Sequence, residues 1–187
     1  MHKPCALPCL VEKHGTRTHR SWRKLHIGVG AETGQILAAE LTTSEVDDGS
    51  QVEPLLDQIP GPLASFTGDG AYDQTRIYDT IAKRYPDADV FVPTRSTAVL
   101  TETAQSTPTQ RDRHLQSIAE HGRTGWQTRS GYTRRALVEA AISWLKRVTG
   151  DALRSRTDRR RLTEMAIAIA ALNRMLELGC PKSVRIT

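Results

Sequence analysis

Four residues of the segment GYTRRALVEAAISWLK carry groups able to act on a phosphodiester: Tyr132, Arg135, Glu139 and Lys146, at offsets of three, seven and fourteen from the first. On a helix turning ~100° per residue these offsets fall within an arc of ~60°. That makes one polar ridge, while Leu137, Val138, Ala141, Ile142, Trp144 and Leu145 take the other side. Cations on either side of a carboxylate suit a phosphate backbone: the cations meet phosphate oxygens and the carboxylate can hold a divalent metal ion. The plainer reading is a solvated face with Arg135 and Glu139 as an i,i+4 ion pair. A second carboxylate, Asp69, closes the run ASFTGDG, at the end of a predicted strand, where open α/β sheets place ligands and catalytic groups. Asp-Gly is also an ordinary turn pair. One carboxylate from a strand end and one from a helix can converge on Mg²⁺, which takes oxygen ligands and keeps waters. Two such ions support phosphoryl transfer.

The elements that must position these groups follow the order strand, strand, helix, strand, helix, strand. KLHIGVGA and ILAAELTTS read as two strands of a hairpin around ETGQ, with Gly34 in the turn. EVDDGSQVEPLLDQI switches to helical spacing, with Val52, Leu55, Leu56 and Ile59 on one face, and PGPL stops it. After the short strand of ASFTGDG comes a helix, DQTRIYDTIAKRY, with Asp73 as a plausible N-cap. DADVFVPT is a further strand, closed by Pro93. The later strands are expected to be parallel and joined by helices, giving an α/β unit. Residues 95–130 read as a long polar connector with a helical turn or two from Asp112 to Glu120. The last helix, TDRRRLTEMAIAIAALNRMLELG, has Asp158 as a candidate cap and Gly179 as its stop. Its stretch from Met165 to Met175 is apolar nearly all round and is predicted to be buried against the sheet.

At 187 residues, with 38 % hydrophobic and 25 % charged, the chain suits one globular domain rather than two or a disordered one. No run approaches the ~18 apolar residues of a membrane span, and no signal-peptide core stands at the N-terminus, so a cytoplasmic protein with no membrane partner is expected. Three cysteines, an odd number and spread out, argue against a disulfide framework. His2, Cys5, Cys9 and His14 fit no closed zinc motif. A net charge of +5 permits a polyanionic partner, and the dense runs HGTRTHRSWRK and RSRTDRRR offer it phosphate contacts or are simply solvated surface. Residues 1–20 carry two prolines and no alternation, so the division expected is a tail at 1–20 and one catalytic domain at 21–187.

The ridge has the spacing Y-x2-R-x3-E-x6-K and resembles the signature around the catalytic glutamate of bacterial insertion-sequence transposases of the DDE type. SWRKLHIGV at 21–29, TGDGAYD at 67–73 and AALNRMLELGCPKSVRI at 170–186 are similar to other blocks of the same family. The resemblance implies an RNase H-like fold, a mixed α/β sheet with flanking helices. It makes Asp69 the second catalytic aspartate and Glu139 the catalytic glutamate, both as ligands of Mg²⁺ or Mn²⁺. It places Tyr132, Arg135 and Lys146 near bound DNA. The implied partners are DNA, as element ends and target, and a second copy or an intact transposase, with nucleoid association while bound. The implied reaction is metal-assisted strand cleavage followed by strand transfer. One feature departs from the family: its first catalytic aspartate belongs on the first strand, and this sequence has no Asp before Asp47. An N-terminal DNA-reading part is not recognisable either. The expectation is therefore an N-terminally truncated, catalytically incomplete transposase. The alternative is a non-catalytic DNA-binding or interaction remnant, and a nuclease of the same fold fits the Tyr–Arg–Lys ridge less well.

Overall fold

Helices and two small sheets make a mixed α/β chain in the computed structural model, which describes residues 6–8, 22–150 and 152–179. The reading of His2, Cys5, Cys9 and His14, most of the expected tail and the block beyond Gly179 lie outside the described residues. Two compact units are present: Met1–Val46 with Leu137–Thr187, and Asp47–Ala136. No helix among the described residues is long and apolar enough to cross a membrane.

In the first unit the predicted hairpin forms. Strands β1 (Ala6–Pro8), β2 (Trp22–Val29) and β3 (Ile36–Thr43) lie in that order, each antiparallel to the next. The short β1 falls in a stretch without sequence periodicity. The turn after β2 closes through Gly34 N–H to the Gly30 carbonyl at 2.8 Å, and Gly34 has a φ of 70°, which favours glycine. Leu25 and Ile36 of the hairpin are buried in one cluster with Ala141, Leu145, Leu153, Met165, Ala168 and Leu172. Asn173 clips the start of β3 through both amide atoms: Oδ1 accepts the Ile36 N–H at 2.9 Å and Nδ2 donates to the Ile36 carbonyl at 2.8 Å. The last helix, running Asp158–Leu178 and stopped by Gly179 at φ 71°, buries only the stripe Arg161, Met165, Ala168 and Leu172. Ile167 is 65 % exposed and Met175 54 %, so the all-round burial expected from composition does not occur. The fully buried residues fall at i, i+4, i+7 and i+11, with Ile169 packing beside them, as a single helix face dictates.

In the second unit, a 3-10 turn at Asp48–Gln51 leads into α1 (Val52–Asp57), which buries Val52 and Leu56 as its spacing predicts. Strand β4 (Ser65–Thr67), helix α2 (Thr75–Arg84) and strand β5 (Asp89–Phe91) form a βαβ unit, with β4 and β5 parallel and Phe66 opposite Val90. Ile77 and Ile81 of α2 pack with Val90, Val92 and the buried residues of α1.

Of the segment expected as a polar connector, residues 95–109 hold no helix or strand, but 110–130 form a 21-residue helix, α3 (Gln110–Ser130), far longer than the turn or two expected and bent where Gly122 takes φ 71°. Its start is a capping box: the Thr109 hydroxyl accepts the Asp112 N–H, and the Asp112 carboxylate accepts the Thr109 N–H. Gln110 bonds Val90 N–H at 2.8 Å and the Ala88 carbonyl at 2.9 Å. Docking of α3 thus runs through polar side chains on main chain, which leaves no apolar period in the sequence.

Candidate active site

Asp69 lies two residues beyond β4 and is half-buried. It caps a 3-10 turn over Gly70–Tyr72, its Oδ1 accepting the Ala71 N–H at 2.8 Å. This is the turn chemistry of Asp-Gly, and it fixes the carboxylate's direction at the strand end. Gly68, buried just before it, is required: a Cβ there would lie 2.9 Å from the Tyr72 ring. Burial pushes the Tyr72 hydroxyl up, and the charges of Asp48, Asp69 and Asp47 push it further. Tyr72 therefore stays protonated in a locally negative setting.

Asp73 does not cap α2. Gln74 occupies the cap position, and the Asp73 carboxylate, 5 % exposed, reaches elsewhere. Its Oδ1 accepts Arg111 Nε at 2.7 Å, and its Oδ2 accepts Arg111 Nη2 at 3.1 Å and Arg95 N–H at 2.9 Å. Burial raises the Asp73 carboxyl, but the Arg111 bond and the Arg95 N–H outweigh it and hold it below the usual range. The bidentate pair ties the start of α3 to the residues that follow Asp69.

The signature residues do not sit on one continuous helix. Gly131, at φ 71°, ends α3; Tyr132–Arg135 is a 3-10 turn; and only then does α4 (Ala136–Thr149) begin. With about three residues per turn, i and i+3 eclipse, so Tyr132 and Arg135 still share a face. Glu139 and Lys146 lie on α4 itself, Glu139 exposed in the first turn and Lys146 half-buried in the last. Of the apolar side, Ala141 and Leu145 are buried whereas Trp144 is 46 % exposed. Asp69, Tyr132 and Arg135 thus belong to the second unit, and Glu139 and Lys146 to the first.

Within the second unit the 3-10 turn Tyr132–Arg135 packs against β4, the strand that runs into Asp69. A ring relay anchors the turn to β5 as well. His114 Nε2 donates to the Val90 carbonyl at 2.6 Å, and Trp126 Nε1 donates to His114 Nδ1 at 3.0 Å. The Tyr132 ring lies 5.4 Å from that of Trp126, which is 1 % exposed. An indole N–H can only donate, so His114 must be the neutral Nε2–H tautomer. Sequence reasoning missed His114, Trp126 and the Asp73–Arg111 pair; a lone Trp in a polar segment was the only available signal.

Burial pushes the His114 imidazole below its ordinary value, with Arg113 opposing its protonation and the Val90 bond, Asp89 and Asp73 acting the other way. A depressed histidine stabilises the fold fully above the unfolded value of about 6.5 and loses that contribution as pH falls below it. Asp112, fully buried, is raised by burial but lowered more by donors from Thr101 and Thr109, so its contribution and that of Asp73 are lost only below about pH 4. Urea midpoints measured from pH 8 to 3 should therefore decline in two stages. His114→Gln should flatten the stage near pH 6 and leave the acid one.

The described residues gather no group of three His, Cys, Asp or Glu side chains able to hold a metal ion. Carboxylate oxygens are the right donors for Mg²⁺, and Asp69 offers one such group just beyond the end of β4. Residues 8–174 match the family model for the transposase DDE domain. No solved structure matches the chain.

Proposed function

This chain belongs to the transposase DDE domain family, and from that premise we propose that Asp69 and Glu139 are its catalytic carboxylates and that Tyr132, Arg135 and Lys146 hold DNA. Membership of the family carries DNA as the class of partner and a mixed α/β domain as the scaffold. The finer reading is an RNase H-like arrangement of that scaffold, with Mg²⁺ or Mn²⁺ as the metal that Asp69 and Glu139 would help to bind.

The observation that supports this best is the packing of the Tyr132–Arg135 turn on β4, the strand leading to Asp69. The turn that carries a cation and an aromatic residue lies beside the strand leading to the carboxylate, which suits a site that grips a phosphate next to the reacting one. The ring relay through Trp126 and His114 holds the tyrosine to the same pair of strands. Glu139 and Lys146, one carboxylate and one cation seven residues apart, repeat that pairing on α4.

A second reading is favoured by the carboxylate inventory. The sequence has no aspartate among residues 1–46, and the described residues show no three-ligand cluster. On that reading this chain binds DNA without cutting it.

Both readings require backbone contact through Arg135 and Lys146. Binding to unrelated duplexes should be weak and steeply salt-dependent, since the residues proposed to hold DNA are suited to phosphate contacts, which carry no sequence information. The double substitution Arg135→Ala/Lys146→Ala should reduce the slope of log K against log salt by about 2, at about 0.9 per phosphate contact. Fluorescence anisotropy on two unrelated duplexes measures this. Tight binding to one sequence that survives high salt would overturn the proposal.

A further inference from the structure

The segment from Arg154 to Arg161 reads RSRTDRRR and joins α4 to α5 (Asp158–Leu178). A merely solvated basic loop needs no internal scaffold, yet this one has a scaffold on both sides. Glu164 of α5 turns back onto it, Oε1 accepting Arg154 N–H at 2.8 Å and Oε2 accepting Ser155 N–H at 2.8 Å. Arg161, only 9 % exposed, donates Nε to the Ser155 carbonyl at 3.1 Å and Nη1 to Asp158 at 2.9 Å. Asp158 in turn accepts Arg23 Nη2 from β2 at 2.7 Å. Leu153, at the head of the loop, is buried in the core of the first unit.

The two acidic side chains of this region are thus occupied, Glu164 with main-chain N–H groups and Asp158 with Arg23 and Arg161. Arg154, Arg156, Arg159 and Arg160 are exposed around the fixed main chain. Ordering a loop before its ligand arrives removes an entropic cost from binding. Guanidinium groups meet phosphate oxygens with two parallel N–H donors, so several of them in a short loop match a chain of phosphates better than a single small anion.

We propose that residues 154–160, the end of the α4–α5 loop and the first turn of α5, are a preformed contact for the DNA phosphate backbone, additional to Tyr132, Arg135 and Lys146. The inference rests on the family's DNA partner and does not depend on the assignment of Asp69 and Glu139. The occupant is duplex DNA rather than an acidic protein surface.

Charge alone and a preformed loop give opposite signs for one substitution. Glu164→Ala raises the formal net charge of +5 by one, so general attraction predicts tighter binding to DNA. Release of the loop main chain predicts binding about three- to tenfold weaker, the cost of ordering a loop on contact. The exposed double variant Arg159→Ala/Arg160→Ala removes no buried contact and keeps the test open should Glu164→Ala fail to fold. It should lower the salt slope by about 2.

The experiment is anisotropy of a labelled duplex with the parent chain, both loop variants and Arg135→Ala/Lys146→Ala, across a salt series and with poly-glutamate as competitor. Weaker binding by Glu164→Ala and a reduced slope for the arginine variant support the loop. Tighter binding by Glu164→Ala, or a slope unchanged by the arginine pair, overturns it and leaves the Arg135–Lys146 reading intact if that variant still weakens binding. Poly-glutamate competing as well as unlabelled duplex also overturns it, as does the absence of any DNA binding by the parent.

Discussion

Supercoiled plasmid incubated with this chain and Mn²⁺ is expected to stay supercoiled, to the same extent as with an Asp69→Ala control. Asp69 and Glu139, proposed above as the catalytic carboxylates, carry two negative charges between them, against four positive charges on two divalent ions. Mg²⁺ gives up its waters reluctantly and needs the remaining ligands preorganised, and Asp69 already spends one oxygen on the Ala71 N–H. Residues 1–46 hold no aspartate, so on the proposed reading no third carboxylate of the triad joins Asp69 and Glu139 from that stretch. Phosphoryl transfer depends on placement, and a misplacement of ~1 Å alone costs ~100-fold in rate. On the reading proposed above a ligand is absent rather than shifted, and the loss should reach the background of the assay. Gel electrophoresis of the plasmid over hours measures it. Nicking by the parent that the control lacks would show that the carboxylates present suffice.

Asp73→Ala should unfold the second unit at markedly lower urea, by about 3–5 kcal/mol. The carboxylate is 5 % exposed and takes two bonds from Arg111 and one from Arg95 N–H. Its removal leaves a guanidinium facing a cavity and an unsatisfied main-chain donor, and both are costly when desolvated. Because the pair fastens α3 to the segment after Asp69, the substitution should also loosen the end of β4. Asp57→Ala, which removes the partner of Arg84 at the surface, should cost less than about 1 kcal/mol. Equal effects of the two substitutions would refute the special role of Asp73.

The parts of this chain legible in its sequence are those whose order comes from apolar spacing or from glycine. The hairpin with Gly34, the βαβ unit with its parallel strands and the helix closed by Gly179 follow the expected periods. Helix α3 was hidden because Gln110, Arg111 and Asp112 anchor it by hydrogen bonds to distant main chain and to Asp73, which no periodic pattern records. Asp73 itself looked like a cap because Asp before a helix usually is one; a cation 38 residues away claimed it instead. For the signature, spacing located Tyr132, Arg135, Glu139 and Lys146, but an even 100° period could not foresee Gly131 in the left-handed region and the 3-10 turn after it. Trp126 and His114 support Tyr132 from within a polar stretch, where the sequence shows only scattered side chains.

The central claim is that Asp69 and Glu139 both meet DNA. Photocrosslinking tests it most directly. Cys5, Cys9 and Cys180 are replaced by serine, and one cysteine is introduced at a time, at Asp69, at Glu139, and at the exposed controls Asp57 and Glu177. Each protein carries a short thiol-linked photoreactive group and is irradiated with a labelled duplex at low salt. Crosslinks from positions 69 and 139 are expected several-fold above those from 57 and 177, and lost when salt releases the DNA. Yields at 69 or at 139 no higher than at the controls would contradict it.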